Sequence, residues 1–369
     1  MYGSDRCLYE LIKGIDKKQF SPVVILPYEG ILSDKLKELG IKTYFIDPWV
    51  MRKGIFHGIK FIKYIFSLPA SIIKIIRIVK NEHINLVYSN TSVIIGAPLA
   101  SLLCGVPHVY HLREFYDDYP TLVSFHRSFM CFVSKKIIAI GNTVGEQVSK
   151  KCIKKLDVIY DGIDLNRFRS SNVAVPEELI ELRKAGYLIV SDIGRISRIK
   201  GQELFIEAAK LILDKYKNSM FLIIGDIFPG NVPFKKHLDE LANQYGITDH
   251  ILFTGFRNDV DAFIMNSDIV VLTTLISEAL GQVVMEGMAA GKVVVAPDKG
   301  GPTELIENDV DGILYRSGDR DALANTIIRL INDPLSREVI GKEAREKAMK
   351  NFGISKNINK IQENLKELI

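Results

Sequence analysis

Cysteine is scarce in this sequence. Its four residues, Cys7, Cys104, Cys131 and Cys152, are scattered with no close pair. That spacing offers no zinc site and no reason to expect a disulfide framework, so a reduced, cytoplasmic setting is the expectation. No apolar stretch follows Met1, because Asp5, Arg6 and Glu10 stand where a secretory leader needs its hydrophobic core. No glycine-rich dinucleotide fingerprint follows any predicted strand, which argues against an NAD-linked oxidoreductase. There is no short tandem repeat and no low-complexity tract, and no nucleic-acid partner is expected.

What is present is a chain of 369 residues with 47% hydrophobic composition, enough for a sizeable core and more natural as two domains than one. Short Val/Ile-rich runs alternate with helix-length amphipathic segments. In the first half the runs are Val23–Pro27, Lys42–Ile46, Asn85–Tyr88, Val106–Tyr110, Ile137–Ile140 and Asp157–Tyr160. In the second half they are Leu188–Ile193, Met220–Ile224, Ile251–Thr254, Ile269–Leu272 and Val293–Ala296. Strands this apolar, separated by helices, predict parallel sheets covered on both faces. Two such series predict an α/β protein with two Rossmann-like, doubly wound domains. Hydrophobic periodicity lapses near Asp164–Pro176, so the expected organisation is 1–168, 169–352, and a last helix over 353–369 returning to the first domain.

Charge is unevenly placed. Residues 1–165 hold 22 Lys and Arg against 15 Asp and Glu, and the remainder holds 26 against 29. The stretch Met51–Glu82 carries Arg52, Lys53, Lys60, Lys63, Lys74, Arg77 and Lys80 against the single acid Glu82, with isoleucines and phenylalanines between them. Its lysines interrupt any apolar run of the roughly 20 residues a membrane span needs. Pro69 is expected to divide it into two helices. The segment reads either as a pair of core-facing helices with a solvated basic face or as a surface that rests on anionic lipid.

Two clusters carry chemistry. Gly194-Arg195 and Lys200-Gly201 lie between a buried strand and the helix that starts near Gln202. Such a turn is where α/β folds bind ligands; glycine lets the backbone approach closely, and two cations can neutralise a diphosphate. Glu278-Ala279-Leu280-Gly281 leads into a second helix that carries Glu286. Amides at Leu280, Gly281 and Gln282 would open that helix toward a phosphate. Glu286 lies about 7 Å further along the axis, near the distance from a diphosphate to its ribose. Glu278 falls on the other side of the phosphates, where a transferred sugar would sit. Either carboxylate can accept hydrogen bonds from hydroxyls. A hydrolase pair is a poorer reading, because the two glutamates flank a helix start instead of one scissile bond.

These pieces resemble a family-4 glycosyltransferase of the B-type two-domain fold. The matching residues are Gly194-Arg195, Lys200-Gly201, Gly225, Phe253-Thr254-Gly255, the Glu278/Glu286 pair with seven residues between, and Gly300-Gly301 with Glu304. The resemblance implies two domains facing a cleft and transfer of a sugar, hexosyl or other, from a nucleotide-sugar donor to a glycan or lipid-linked acceptor in cell-envelope polysaccharide assembly. It implies retention of anomeric configuration, no cofactor and no metal. It gives Glu286 the ribose, Glu278 the donor sugar, and Arg195 and Lys200 the diphosphate. In the first half, Gly3 opens a helix as in the family's glycine loop, and His111 resembles the family's histidine that faces the donor sugar. Tyr160-Asp161-Gly162 resembles the hinge turn, with Asp161 where asparagine is usual.

One departure stands out. The family begins with a strand before the glycine loop, and here that loop begins at residue 2. The first, central strand is therefore expected to be missing, with a gap left in the sheet; an upstream in-frame segment would supply it. Two other readings stay open: a nucleotide-sugar 2-epimerase of the same architecture, against which the paired glutamates argue, and a non-catalytic nucleotide-sugar-binding subunit. The expected place of action is cytoplasmic, peripheral on the inner face of a membrane.

Overall fold

The computed structural model describes residues 3–50, 59–115, 120–169, 174–228 and 230–369. The chain forms two compact α/β units. Unit 1 runs to Gly162 and takes back Ile354–Ile369; unit 2 is Ile163–Gly353. The first division thus falls at 162/163, six residues before the expected 168/169.

Unit 1 comprises α1 (Gly3–Gly14), β1 (Val23–Leu26), α2 (Ile31–Glu38), β2 (Lys42–Phe45), α3 (Ile59–Asn81), β3 (Val87–Ser89), α4 (Gly96–Cys104), β4 (His108–Leu112), α5 (Pro120–Val133), β5 (Lys136–Ala139), α6 (Asn142–Gly145) and β6 (Leu156–Val158). All its strand pairs are parallel, but they fall into two sheets, β1-β2 and β3-β4-β5-β6. Among the described residues no strand joins β1 to β3. Ile25 of β1 and Val87 of β3 nonetheless pack on one apolar cluster built on Ile75, Val79 and Ala100. Helix α1 covers the join from another side: Leu11 packs with Val109 and Tyr88, and Ile12 with Val24 and Leu26.

Unit 2 comprises α7 (Glu177–Lys184), β7 (Leu188–Ile193), α8 (Gln202–Leu213), β8 (Ser219–Ile224), α9 (Val232–Gln244), β9 (Ile251–Gly255), α10 (Val260–Met265), β10 (Ile269–Val271), α11 (Gln282–Ala289), β11 (Val293–Pro297), α12 (Pro302–Leu305), β12 (Ile313–Tyr315), α13 (Arg320–Asn332) and α14 (Pro334–Asn351). Its six strands are parallel in the order β12-β11-β10-β7-β8-β9. The order reverses between β7 and β10, which makes the loops after these two strands the place where an open α/β sheet binds ligands. Every residue of β8 and β11 is buried, as strands covered on both faces require. Helix starts follow local chemistry: Asp319 accepts from Ala322 N at 2.9 Å, and Asp333 accepts from Ser336 N at 2.9 Å, with Pro334 at the first helical position. The final helix, α15 (Ile354–Lys366), belongs to unit 1, where Ile358, Ile361 and Leu365 pack with Leu11, Val109, Ile138 and Ile159.

Three expectations need correction. Pro69 does not divide its segment, because α3 runs through it as one helix. In the turn before it, Trp49 Nε1 donates to the Tyr64 carbonyl at 2.8 Å and Ser67 Oγ donates to it at 2.6 Å. Ile75 and Val79 then anchor the C-terminal half of α3 beside Ala100 of α4. Arg52, Lys53, Ile55 and Phe56 lie outside the described residues. Second, β12 is a strand that the apolar pattern did not reveal; it is only three residues long. Third, Cys131 at the end of α5 and Cys152 form a disulfide, with Cα atoms 5.6 Å apart across a separation of 21 residues. Cys7 and Cys104 take no part in a disulfide. The pairing is invisible to spacing rules because the fold, and not a short motif, brings the end of α5 to the segment Lys150–Lys155.

Closing a loop of this size removes unfolded-chain entropy worth about 3 kcal/mol. Denatured, unreduced protein is therefore expected to titrate two thiols with a chromogenic disulfide reagent and four after reduction. Reduction should lower the melting temperature by several degrees. Four reactive thiols in the unreduced protein would remove the bond.

Candidate functional site

The loops that follow β7 and β10 meet at the switch point of the unit 2 sheet. The first contains Arg195 and Lys200, and the second leads through Thr273 and Thr274 to Glu278. They are fastened by two threonine hydroxyls and one backbone amide, all donating to carbonyls of the first loop. Thr273 Oγ1 donates to the Lys200 carbonyl at 2.8 Å, Thr274 Oγ1 to the Ile199 carbonyl at 3.2 Å, and Leu275 N to the same carbonyl at 3.0 Å. Gly201, with φ +74°, sits so close to Thr273 that any Cβ would collide with its carbonyl oxygen. The loop after β11 closes the other side. Glu278 bridges to Gly300 as an isolated parallel pair, and Gly301 N donates to the Glu278 carbonyl at 2.8 Å.

This fastening brings two of the expected site residues together. Lys200 Nζ donates to Glu278 Oε2 at 2.6 Å, with both side chains about one-quarter exposed (24% and 26%). Arg195 is exposed on the same loop, its guanidinium 5.0 Å from the Phe228 ring centroid. Leu280 is buried, and Gly281, with φ 93°, caps α11, whose first residue is Gln282. Glu286 follows four residues inside α11 and is buried. Its Oε1 accepts from Arg167 NH1 at 3.2 Å, while Arg167 Nε reaches Asp261 Oδ2 at 3.3 Å. Arg345 ties the far end of α11 to the segment bearing Arg167, donating to the carbonyls of Ala289 at 2.6 Å and Phe168 at 2.9 Å.

Two polar residues here escaped the sequence reading. Arg167 looked like part of a linker. Asp192 stands next to last in β7 and is buried; an acid inside the run Leu188–Ile193 was the available signal. Burial pushes its carboxyl from the usual 3.8 to about 7, opposed by a Thr273 hydrogen bond and the Lys200 charge. Its Oδ2 has no partner among the described residues.

The remaining expected residues lie in unit 1. Gly3 is exposed and is the first residue of α1. His111 is within β4, not just beyond it, and is fully buried. Tyr88 hydroxyl and Arg113 NH2 (3.3 Å) both contact its Nδ1. Arg113 NH1 in turn pairs with Asp161 at 2.6 Å. The next acid, Glu114, accepts from Thr91 Oγ1, Ser92 Oγ and, at 2.9 Å, Ser92 N. Burial, then the Arg113 charge, holds the His111 imidazole well below its ordinary value, so it is neutral.

Comparison with known proteins follows the same two-part division. Residues 1–167 match the model described as Glycosyltransferase Family 4, and residues 176–347 match that described as Glycosyl transferases group 1. The UDP-Gal:alpha-D-GlcNAc-diphosphoundecaprenol alpha-1,3-galactosyltransferase of Escherichia coli is 25% identical over 98% of this chain and 92% of its own length. The 2-deoxystreptamine glucosyltransferase of Streptomyces kanamyceticus is 28% identical over 71% of this chain and 70% of its own. In fold, the chain is similar to Anabaena HepE solved in complex with UDP: TM-score 0.85, 24% identity, 100% of this chain and 97% of that one.

The Asp192 carboxyl gives a direct test of the site's electrostatics. Its native value lies above the unfolded one, so between about pH 4 and 7 the native state keeps a proton that the unfolded state has lost. Its contribution is therefore complete below about pH 4, is lost as pH rises to about 7, and is level beyond. At about 1.4 kcal/mol per pH unit the loss reaches up to about 4 kcal/mol. Asp192→Asn should flatten this slope and be more stable than the parent at pH 8, as read by urea unfolding at pH 5 and pH 8. Identical slopes in the two proteins would show that Asp192 does not titrate in this range.

Proposed function

The chain belongs to the glycosyltransferases that join a family-4 domain to a group-1 domain in the B-type fold, and from that premise we propose that it transfers a sugar, with retention, from a UDP-sugar to a lipid-linked or other glycan acceptor in cell-envelope polysaccharide assembly. The observation that carries the reading is the Lys200–Glu278 ion pair at the β7/β10 switch point, a cation and a carboxylate held side by side beside the start of α11. In this reading the donor diphosphate takes Lys200 and Arg195, with the amides of Leu280, Gly281 and Gln282 around it. Glu278, released from Lys200, turns to the hydroxyls of the donor sugar. Glu286, oriented by Arg167, accepts from the ribose. His111 is assigned to the donor sugar. The choice of UDP rests on the nucleotide named for the E. coli relative, which is similar along nearly the whole chain.

The chemistry follows from the charges. As the bond between the anomeric carbon and the diphosphate oxygen breaks, negative charge grows on the leaving group. Arg195, Lys200 and the helix start stabilise it without reorganising. The acceptor hydroxyl attacks from the face the diphosphate leaves and passes its proton to the departing diphosphate oxygen, which retains configuration. Two cations and a helix start can meet that charge without a metal ion, and transfer is proposed to be metal-independent.

The acceptor's setting bears on the membrane. No described helix is long and apolar enough to cross a bilayer. Helix α3 does expose Phe66, Ile73, Lys74, Arg77 and Lys80 along one face, an apolar end followed by a basic one. We assign this face to an anionic lipid surface, on which the lipid-linked acceptor would be met. A cytoplasmic place of action requires the Cys131–Cys152 bond to survive a reducing pool, and the burial of Cys152 favours that.

The two glutamates should separate by role. The ribose is the same in ground state and transition state, so Glu286→Gln should raise the donor KM about tenfold or more and leave kcat within a few-fold. The sugar ring gains positive charge as the diphosphate departs, so Glu278→Gln should lower kcat by about a hundredfold with a smaller change in KM. Steady-state kinetics with a UDP-sugar, and UDP affinity by calorimetry, read the difference. If Glu286→Gln leaves UDP affinity unchanged, the ribose assignment is wrong. If purified protein releases an altered sugar without acceptor, the epimerase reading replaces this one.

For the membrane, the protein should sediment with anionic vesicles more than with neutral ones, and Lys74→Glu with Arg77→Glu should abolish the preference, since each cation contributes about 1 kcal/mol near such a surface. Equal sedimentation with both vesicle types would return α3 to a purely structural role.

A further inference from the structure

Of the buried histidines of unit 1, His111 meets hydrogen-bond partners at Nδ1 only, among the described residues. Arg113 uses its whole guanidinium within the unit. Nε donates to Asn90 Oδ1 at 2.9 Å, NH1 to both Asp161 oxygens at 2.7 and 2.6 Å, and NH2 lies 3.3 Å from His111 Nδ1. With three of these contacts fixing the plane, the fourth is aimed at the ring. Tyr88 hydroxyl meets the same nitrogen. Desolvation holds the Tyr88 phenol well above its ordinary value, so it keeps its proton. The Cys7 thiol lies 3.5 Å from Asp161 Oδ2.

A guanidinium has no lone pair to offer. A proton on His111 Nδ1 would face an N–H of Arg113 in a buried, low-dielectric setting, and no rotation of the arginine relieves it while Asp161 and Asn90 hold the other nitrogens. A lone pair on Nδ1 instead accepts from both Tyr88 and Arg113. We infer that Tyr88, Arg113 and Asp161 together fix the His111 proton on Nε2, so that the imidazole serves as a neutral hydrogen-bond donor to a sugar oxygen of the substrate and cannot serve as a base. Nε2 is buried and has no partner among the described residues. Buried donors are rarely left unmet, and this one lies in the C-terminal half of a parallel strand, where α/β sheets receive ligands. Tyr88, Arg113 and Asp161 are positioning residues: they touch the histidine, not the substrate. Asp161 is the residue that departs from the hinge asparagine, and its charge is what holds Arg113 in place.

The inference rests on the transferase reading for its substrate but not for its proton. Full-length protein labelled with nitrogen-15 in histidine, compared at pH 7 with His111→Gln to identify the signal, reports the tautomer directly through long-range proton–nitrogen correlations. The Nε2–H pattern is expected at His111. Tyr88→Phe and Asp161→Asn should each lower the ratio of Nε2–H to Nδ1–H several-fold, while unchanged signals from the other histidines show that the fold is intact. Adding the UDP-sugar that supports turnover, UDP-galactose or UDP-glucose, should move the Nε2–H proton signal, whereas UDP alone should not. An Nδ1–H tautomer, an imidazolium, or a ratio unmoved by both substitutions overturns the proton assignment. A signal unmoved by the turned-over donor overturns the substrate contact. A protein with the Nε2–H pattern that transfers no sugar overturns the transferase reading alone.

Discussion

Backbone lying directly on backbone organises the candidate donor site. Gly201 against the Thr273 carbonyl and Gly301 against Leu280 are contacts that no side chain could enter, and a Cβ on Gly300 would stand 2.7 Å from the Glu278 carbonyl. Three loops, after β7, β10 and β11, are thereby drawn together at the point where strand order reverses. The Lys200–Glu278 pair follows from that closeness. So does the burial of Asp192, which ends up under Lys200 with Thr273 beside it. Glycine here is required by distance and by the left-handed backbone at Gly201 and Gly300 together, so substitution would be opposed twice.

Charge is handled differently in the two units. In unit 2 the site's ion pairs stay partly wet: Lys200–Glu278 is about one-quarter exposed, and the Arg167 side chain is 23% exposed on its way to Glu286. Pairs of this kind can be exchanged for a ligand at modest cost. In unit 1, Arg113 and Asp161 are each only 7% exposed. A pair so buried is expensive to break, because either partner left alone would be an uncompensated charge. The first arrangement suits groups that must change partners, the second a framework that must not move.

The parts of this architecture legible in the sequence were those written in local pattern. Runs such as Val293–Ala296 and Leu188–Ile193 could only be covered strands, and Gly194-Arg195, Lys200-Gly201 and Glu278 stood out because glycine and charge sat at strand ends. The family's two-part signature extended that reading along the chain. What stayed hidden depended on tertiary contact. Pro69 remains inside a helix whose following turns, through Ile75 and Val79, pack their apolar face beside Ala100. Cys131 finds Cys152 through a fold, not a spacing. Arg167 gains meaning only once Glu286 and Asp261 lie beside it. The apolar run ends at Tyr110, but β4 extends through Leu112 and takes in His111, whose buried neighbours include Tyr88 of β3 and Arg113, itself paired with Asp161.

Helix α15 has a consequence for how the polypeptide is made. Unit 2 is one continuous stretch, Ile163–Gly353, and can close as soon as it has left the ribosome. Unit 1 cannot. Its core of Leu11, Val109, Ile138 and Ile159 is finished by Ile358, Ile361 and Leu365, which are synthesised after all of unit 2. At a translation rate of roughly 5–20 residues per second, about 200 residues of delay leave that apolar face waiting for ten seconds or more. The domain begun first is thus the last to be completed, and during that interval the nascent chain carries a sticky, half-built surface that a chaperone would recognise.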